Sequence, residues 1–107
     1  MFKITAKPTF THTVHVMVPV DGGHREETFK ATFEVKDIDQ LEKVQDEGGQ
    51  RGLLREVITG FDELIDDAGQ AVPYSDELRE QLIGVPYVRI ALFQAYIAAI
   101  GKAKPGN

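Results

Sequence analysis

The residues in this chain whose types could do chemistry are His12, His15 and His24, the adjacent Asp66 and Asp67, Ser75, and the glycine pairs at 22 to 23 and 48 to 49. A metal reading of the histidines fails on spacing. Residues three apart on a strand point to opposite faces, so His12 and His15 do not share an ion. His24 lies near a turn, with no cysteine or third ligand at a useful distance along the chain. Asp66 and Asp67 would work as an acid–base pair only if they converged; neighbouring residues diverge, and an Asp before Gly69 has a local use in a turn. The stretch from Asp62 does not place oxygens at every second position before a glycine, as a calcium loop requires. The glycine pairs belong to no nucleophile elbow, phosphate cradle or dinucleotide fingerprint and read as a turn and a helix stop. Ser75 has no nearby histidine and suits a helix cap. The sequence therefore assigns no catalytic residue, no cofactor and no metal, although residues far apart in the chain are free to converge.

Composition narrows the partners. The 107 residues suit one domain, and 42% hydrophobic with 27% charged residues is the balance of a folded globule. Seventeen acidic and 12 basic side chains leave a formal charge of -5, with the basic ones scattered. Phosphate binding needs a basic face, so no nucleic acid is expected as a partner. The absence of cysteine removes disulfides and thiolate sites and fits a reducing compartment. The N-terminus lacks the long apolar run of a secretory signal. A final helix about 22 Å long is too short for a hydrocarbon layer about 30 Å thick, so no membrane is expected and the cytoplasm is the default.

The elements that must position these residues follow from periodicity. Phe10, Val14, Val16 and Val18 alternate with Thr11, Thr13, His15 and Met17; Phe29, Ala31, Phe33 and Val35 alternate with Thr28, Lys30, Thr32 and Glu34. With Asp21-Gly22-Gly23 between them, these runs predict an antiparallel hairpin with one apolar face. Phe2, Ile4 and Ala6 suggest a third strand stopped by Pro8. The period then turns helical. Asp37 caps a helix with Gln40 at its third position, and Ile38, Leu41 and Val44 form its stripe up to Gly48-Gly49. Leu53, Leu54, Val57, Ile58 and Phe61 mark a second helix weakened by Gly60. Turn residues Asp67, Ala68 and Gly69 make a tight excursion or small hairpin. Ser75 caps a short helix that buries Leu78, Leu82 and Ile83 and ends at Gly84. Pro86 opens the last helix. The expected architecture is α+β: a hairpin or small sheet, then about four helices packed on one face, over residues 1–100, with a flexible tail at 101–107.

The last helix, "PYVRIALFQAYIAAI", has two apolar stripes. At 100° per residue, Ile90, Phe93, Ile97 and Ile100 gather within about 80°, and Val88, Leu92, Ala95 and Ala99 within about 60° roughly opposite. Gln94 and Tyr87 mark one border, Arg89 and Tyr96 the other. The bulkier stripe is the better core face by area buried. That leaves Val88, Leu92, Ala95, Tyr96 and Ala99 as the expected partner-binding residues, with the alanines allowing close approach. A central helix, with the sheet on one side and the first helices on the other, is the competing arrangement.

The segment "VITGFDELIDDAGQAVPYSDELREQLIGVPYVRIALFQAYIAAI" resembles the tail assembly chaperone family of long-tailed, lambda-like bacteriophages. The features that carry the likeness are Gly60-Phe61, the run from Asp66 through Gly69 to Pro73-Tyr74-Ser75, the leucines Leu78 and Leu82, and Ala95-Tyr96 to Ala99. They span about the last 45 residues. Phe61 stands where many relatives carry Trp, which keeps an aromatic anchor. The resemblance implies a non-enzymatic protein of virion morphogenesis in the host bacterial cytoplasm. It would bind the tape measure protein, keep it soluble while the tail tube assembles, and be absent from the mature virion. It also implies a frameshift-extended form that recruits the tail tube protein, with Gly101-Lys102 encodable by a purine run. A homo-oligomer fits the same picture, since accessible apolar surface would serve self-association and client helices alike. Two alternatives stand beside it: a tail-completion or tail-tube-associated protein retained in the virion, and a small enzyme or regulator whose site assembles across the fold.

Overall fold

Alternating branched and polar side chains build a long hairpin. In the computed structural model, which describes residues 1–4 and 8–101, β1 (Thr9–Val20) pairs antiparallel with β2 (Gly23–Glu34). The ladder continues to Val20 opposite Gly23, leaving Asp21 and Gly22 as the turn. Gly22 takes φ 81°, where a side chain would be strained. The register sets Phe10 against Phe33 and Val14 against Phe29 on one face. On the other it sets Thr11 against Thr32, whose hydroxyls are 2.8 Å apart, and Thr13 against Lys30. The apolar face is the buried one: Val14, Val16, Phe29, Ala31 and Phe33 all belong to the core. Val35 lies beyond the end of β2 and is exposed.

The third strand comes from elsewhere in the chain than the sequence suggests. Phe2 and Ile4 are exposed and form no strand, and Ala6 lies outside the described residues. Instead β3 (Ile58–Asp62) pairs antiparallel with β2, giving the order β1-β2-β3. Ile58, Gly60 and Phe61, read as helical from their spacing, are therefore strand residues. Two β-branched residues in succession and a glycine disfavour the helix here, and the edge of β2 offers ladder partners in exchange.

Helix α1 (Ile38–Val57) begins at Asp37, whose carboxylate accepts from the Asp39 backbone N–H at 2.9 Å. It is one helix in name only. Gly49 has φ 63° and ψ -152°, far from helical values. A straight helix would hold Gln40 and Glu56 about 24 Å apart, yet the Gln40 amide donates to Glu56 at 2.6 Å. The two arms thus fold back at the glycine pair, where a helix stop was expected. Gly52 is where they meet: a Cβ there would sit 2.7 Å from the carbonyl oxygen of Val44. Leu53, Leu54 and Val57 anchor the second arm in the core, while the first has only half-buried Leu41 and Val44 and an exposed Ile38.

After β3 the chain makes its small excursion. Ile65 and Ala71 form an isolated antiparallel bridge, and the Asp66 carboxylate accepts from the backbone of Ala68 and Gln70, each at 2.9 Å. Ser75 then caps α2 (Asp76–Ile83), its hydroxyl accepting from Leu78 N–H at 3.0 Å. Helix α3 (Pro86–Gly101) follows, and residues 102–107 of the expected tail lie outside the described residues. The result is α+β, a three-stranded antiparallel sheet and three helices in the order β1-β2-α1-β3-α2-α3, so that one helix precedes the last strand, where about four helices after the strands were expected. Much of that difference is the folded-back α1, which counts once.

Candidate functional site

The placement of α3 decides which surface is available. Pro86, which lacks an N–H, sits in the first turn, and the Val85 carbonyl accepts from Val88 at 3.1 Å and Arg89 at 2.9 Å. Tyr87, near the start, shares a crevice with Met17 and Pro19 of β1, and Tyr96, near the end, stacks on Phe10 at 6.3 Å. The helix therefore runs antiparallel to β1, along the outer strand of the sheet.

Packing reverses the expected assignment of faces. Val88, Leu92, Ala95 and Tyr96, expected to meet a partner, lie in the core with Ala91; Leu92 is 0% exposed and Tyr96 1%. Ala99 is half-buried. The reason is fit rather than area. Ala91 and Ala95 let the helix approach the sheet closely, and Tyr96 supplies bulk at one end, 5.4 Å from the Phe33 ring. A stripe of isoleucines in their place would hold the helix farther out. The Tyr96 hydroxyl has no hydrogen-bond partner among the described residues, and burial pushes the phenol pKa up.

What α3 turns outward is the bulkier stripe. Ile90, Ile97 and Ile100 are 48%, 45% and 47% exposed, with Phe93 half-buried between them. Exposed Met17 and Tyr87 extend this surface onto β1, and a crevice of about 190 Å³ lies between Met17, Pro19, Tyr87 and Ile90. The only charged side chain on α3 is Arg89, and its guanidinium is turned to Gln50, donating at 2.6 Å. The isoleucine stripe itself is thus apolar and uncharged, the kind of surface that marks contact with another molecule, while the crevice beside it also takes His15, His24 and Gln94 into its wall. The sequence reading found the isoleucine stripe but sent it inward. It missed Met17, although an apolar residue on the otherwise polar side of β1 was a usable signal.

The residues considered for chemistry are dispersed. His15 bonds Glu26 across the hairpin at 2.9 Å, His12 faces Ala31 across the ladder, and His24 is exposed beside the turn. Among the described residues no group of three or more His, Asp or Glu side chains could hold a metal ion. The strongest electrostatic arrangement ties helices together: Arg55 donates from Nε and Nη2 to Glu80 at 2.6 to 2.9 Å, and Arg79 adds a contact at 3.1 Å. Chiefly through Arg55, these bonds lower the Glu80 pKa to about 2. Among the described residues no single helix is long and apolar enough to cross a membrane; α2 and α3 together reach that length and composition but bend by 104°. Set against known proteins, the chain matches no family model, no curated protein and no solved structure.

Proposed function

We propose that this chain is a non-enzymatic assembly chaperone of a long-tailed phage, shielding the apolar helices of the tape measure protein in the host cytoplasm while the tail tube forms. One observation carries the reading: the uncharged outward stripe of Ile90, Ile97 and Ile100, each nearly half exposed, on the final helix. Apolar anchors spaced three and four residues apart are what a groove or helix partner engages. The net charge of -5 supplies solubility to a complex whose contact surface is greasy. The likeness of about the last 45 residues to tail assembly chaperones supplies the client. Phe61, which that likeness makes an aromatic anchor, packs edge-on to Phe29 at 5.6 Å and to Tyr74 at 5.2 Å, a contact that supports the reading. A frameshift-extended form that contacts the tail tube protein belongs to the same proposal.

The test is co-expression with a candidate tape measure protein. The client should stay soluble and co-purify with the chain, and Ile97→Glu should abolish co-purification while the variant keeps its circular dichroism spectrum. A client equally soluble with and without the chain would end this reading.

A further inference from the structure

The five arginines of this chain are unevenly partnered. Arg25 reaches Glu27 at 2.7 Å, Arg55 reaches Glu80 at 2.6 Å and Arg79 reaches Glu80 at 3.1 Å. Arg51 and Arg89 have no carboxylate within ion-pair distance among the described residues, although acidic side chains outnumber basic ones by 17 to 12. These two line the same crevice, of about 440 Å³, between the elbow of α1 and the start of α3, and no acidic residue lines it with them. Arg89 is half-buried and donates to the Gln50 side-chain oxygen at 2.6 Å. Gln50 is neutral, so that bond satisfies a donor and leaves the charge unbalanced. A charge partly withdrawn from water with no opposite charge beside it is costly.

We infer that this crevice binds a small phosphate monoester, with Arg51 and Arg89 as its charge partners. The charges match: a phosphate monoester carries about two negative charges near neutral pH, one for each guanidinium. A lone carboxylate would leave one of the two arginines unbalanced. The planar fork of donors on arginine also suits phosphate oxygens. A polynucleotide is a poor match, since two cations on a chain of net charge -5 neutralise too few phosphates.

Size and lining point to an ester rather than a bare ion. The volume falls within the roughly 300 to 1,000 Å³ of small-molecule sites, which leaves room beyond the phosphate for an organic group. Ile83 and Pro86 give that group an apolar wall. On the elbow side Gly48 and Gly49 carry no side chain, and a Cβ at either would meet nothing within 4 Å, so the crevice is open there. Its walls come from the elbow of α1, the end of α2 and the start of α3. A bound anion would therefore clasp the elbow to the rest of the domain. The site is independent of the chaperone reading, which rests on the isoleucine stripe.

The test is titration of the full chain, labelled with nitrogen-15, with phenyl phosphate at constant ionic strength and about pH 7.5, where the ester carries about two charges. Amide and arginine side-chain resonances of Gly48, Gly49, Arg51 and Arg89 should shift and saturate, with a Kd of about millimolar order or tighter. Arg51 is exposed, so Arg51→Gln keeps the fold, and it should weaken binding at least about tenfold by removing charge-assisted bonds. Arg51→Lys, which keeps the charge without the fork, should lose less. Inorganic phosphate should bind more weakly than phenyl phosphate, because it leaves Ile83 and Pro86 uncovered, and benzoate at least about tenfold more weakly, because it balances one arginine only. No saturable shift, or binding indifferent to Arg51→Gln, overturns the inference. Benzoate binding as tightly as phenyl phosphate overturns the choice of phosphate, and equal affinity for inorganic phosphate overturns the choice of an ester.

Discussion

Replacing Leu92 and Ile97 by alanine, one at a time, asks directly which side of α3 faces inward. Leu92 is fully buried and Ile97 is 45% exposed, although the two side chains are the same size. Leu92→Ala removes buried carbon and leaves a cavity against the sheet, which costs about 3 kcal/mol in comparable cores. For a domain of this size that lowers Tm by about 15 °C. Ile97→Ala leaves no cavity. It loses about 1 kcal/mol of partial burial and regains about 0.4 kcal/mol of helix propensity, for a net cost of about 0.5 kcal/mol. Urea unfolding followed by circular dichroism, at chain concentrations low enough that the midpoint no longer depends on concentration, measures both. The m-value should be unchanged in each. Equal losses, or a larger loss for Ile97, would refute the assignment of the two faces and every functional argument built on it.

Three other outcomes follow from particular contacts. Tyr96→Phe removes a buried hydroxyl with no partner among the described residues, so thermal unfolding should show it equal to the wild type or more stable by up to about 1 kcal/mol. Glu80 has its pKa lowered from 4.5 to about 2 in the folded chain. Its bond to Arg55 therefore stabilises the fold fully above pH 4.5, and that contribution fades as the pH falls toward 2. Both side chains are more than a third exposed, so solvent screening reduces the effect to about 1 kcal/mol; acid titration of Glu80→Gln should show a flatter stability profile over that interval. Gly52→Ala should destabilise the fold by about 1 to 3 kcal/mol in urea, because its Cβ would meet the Val44 carbonyl oxygen at 2.7 Å and push the arms of α1 apart.

Local chemistry was the legible part of this sequence. Alternation gave the hairpin and its apolar face, Asp37 and Ser75 gave helix starts, and Gly48-Gly49 gave the break in α1 though not its fold-back, because each signal acts on residues adjacent in the chain. The segment Ile58 to Phe61 was not legible in the same way: its spacing suits a helix, and only the vacant edge of β2 makes it a strand. The N-terminal run with Phe2 and Ile4 failed for the complementary reason, having the alternation of a strand and no ladder to join. The two stripes of α3 were both visible, yet bulk per residue pointed to the wrong one. Which stripe turns inward depends on how closely the sheet lets a helix approach, and that is set by Ala91, Ala95 and Tyr96 acting together with Phe10 and Phe33.

The reversal at Gly49 makes the stability of this molecule uneven along its length. The first arm of α1 is held by two half-buried side chains and the Gln40–Glu56 bond, whereas the second arm is rooted in the core. Opening the first arm sacrifices little apolar contact, so its amide protons should exchange with solvent well before those of residues 53–57. A protease acting on the native chain would find its easiest peptide bonds at the exposed glycines of that elbow. A single nick there would leave β1, β2 and the freed arm on one fragment and β3, α2 and the greasy ridge of α3 on the other, joined only by the β2–β3 ladder and the shared core.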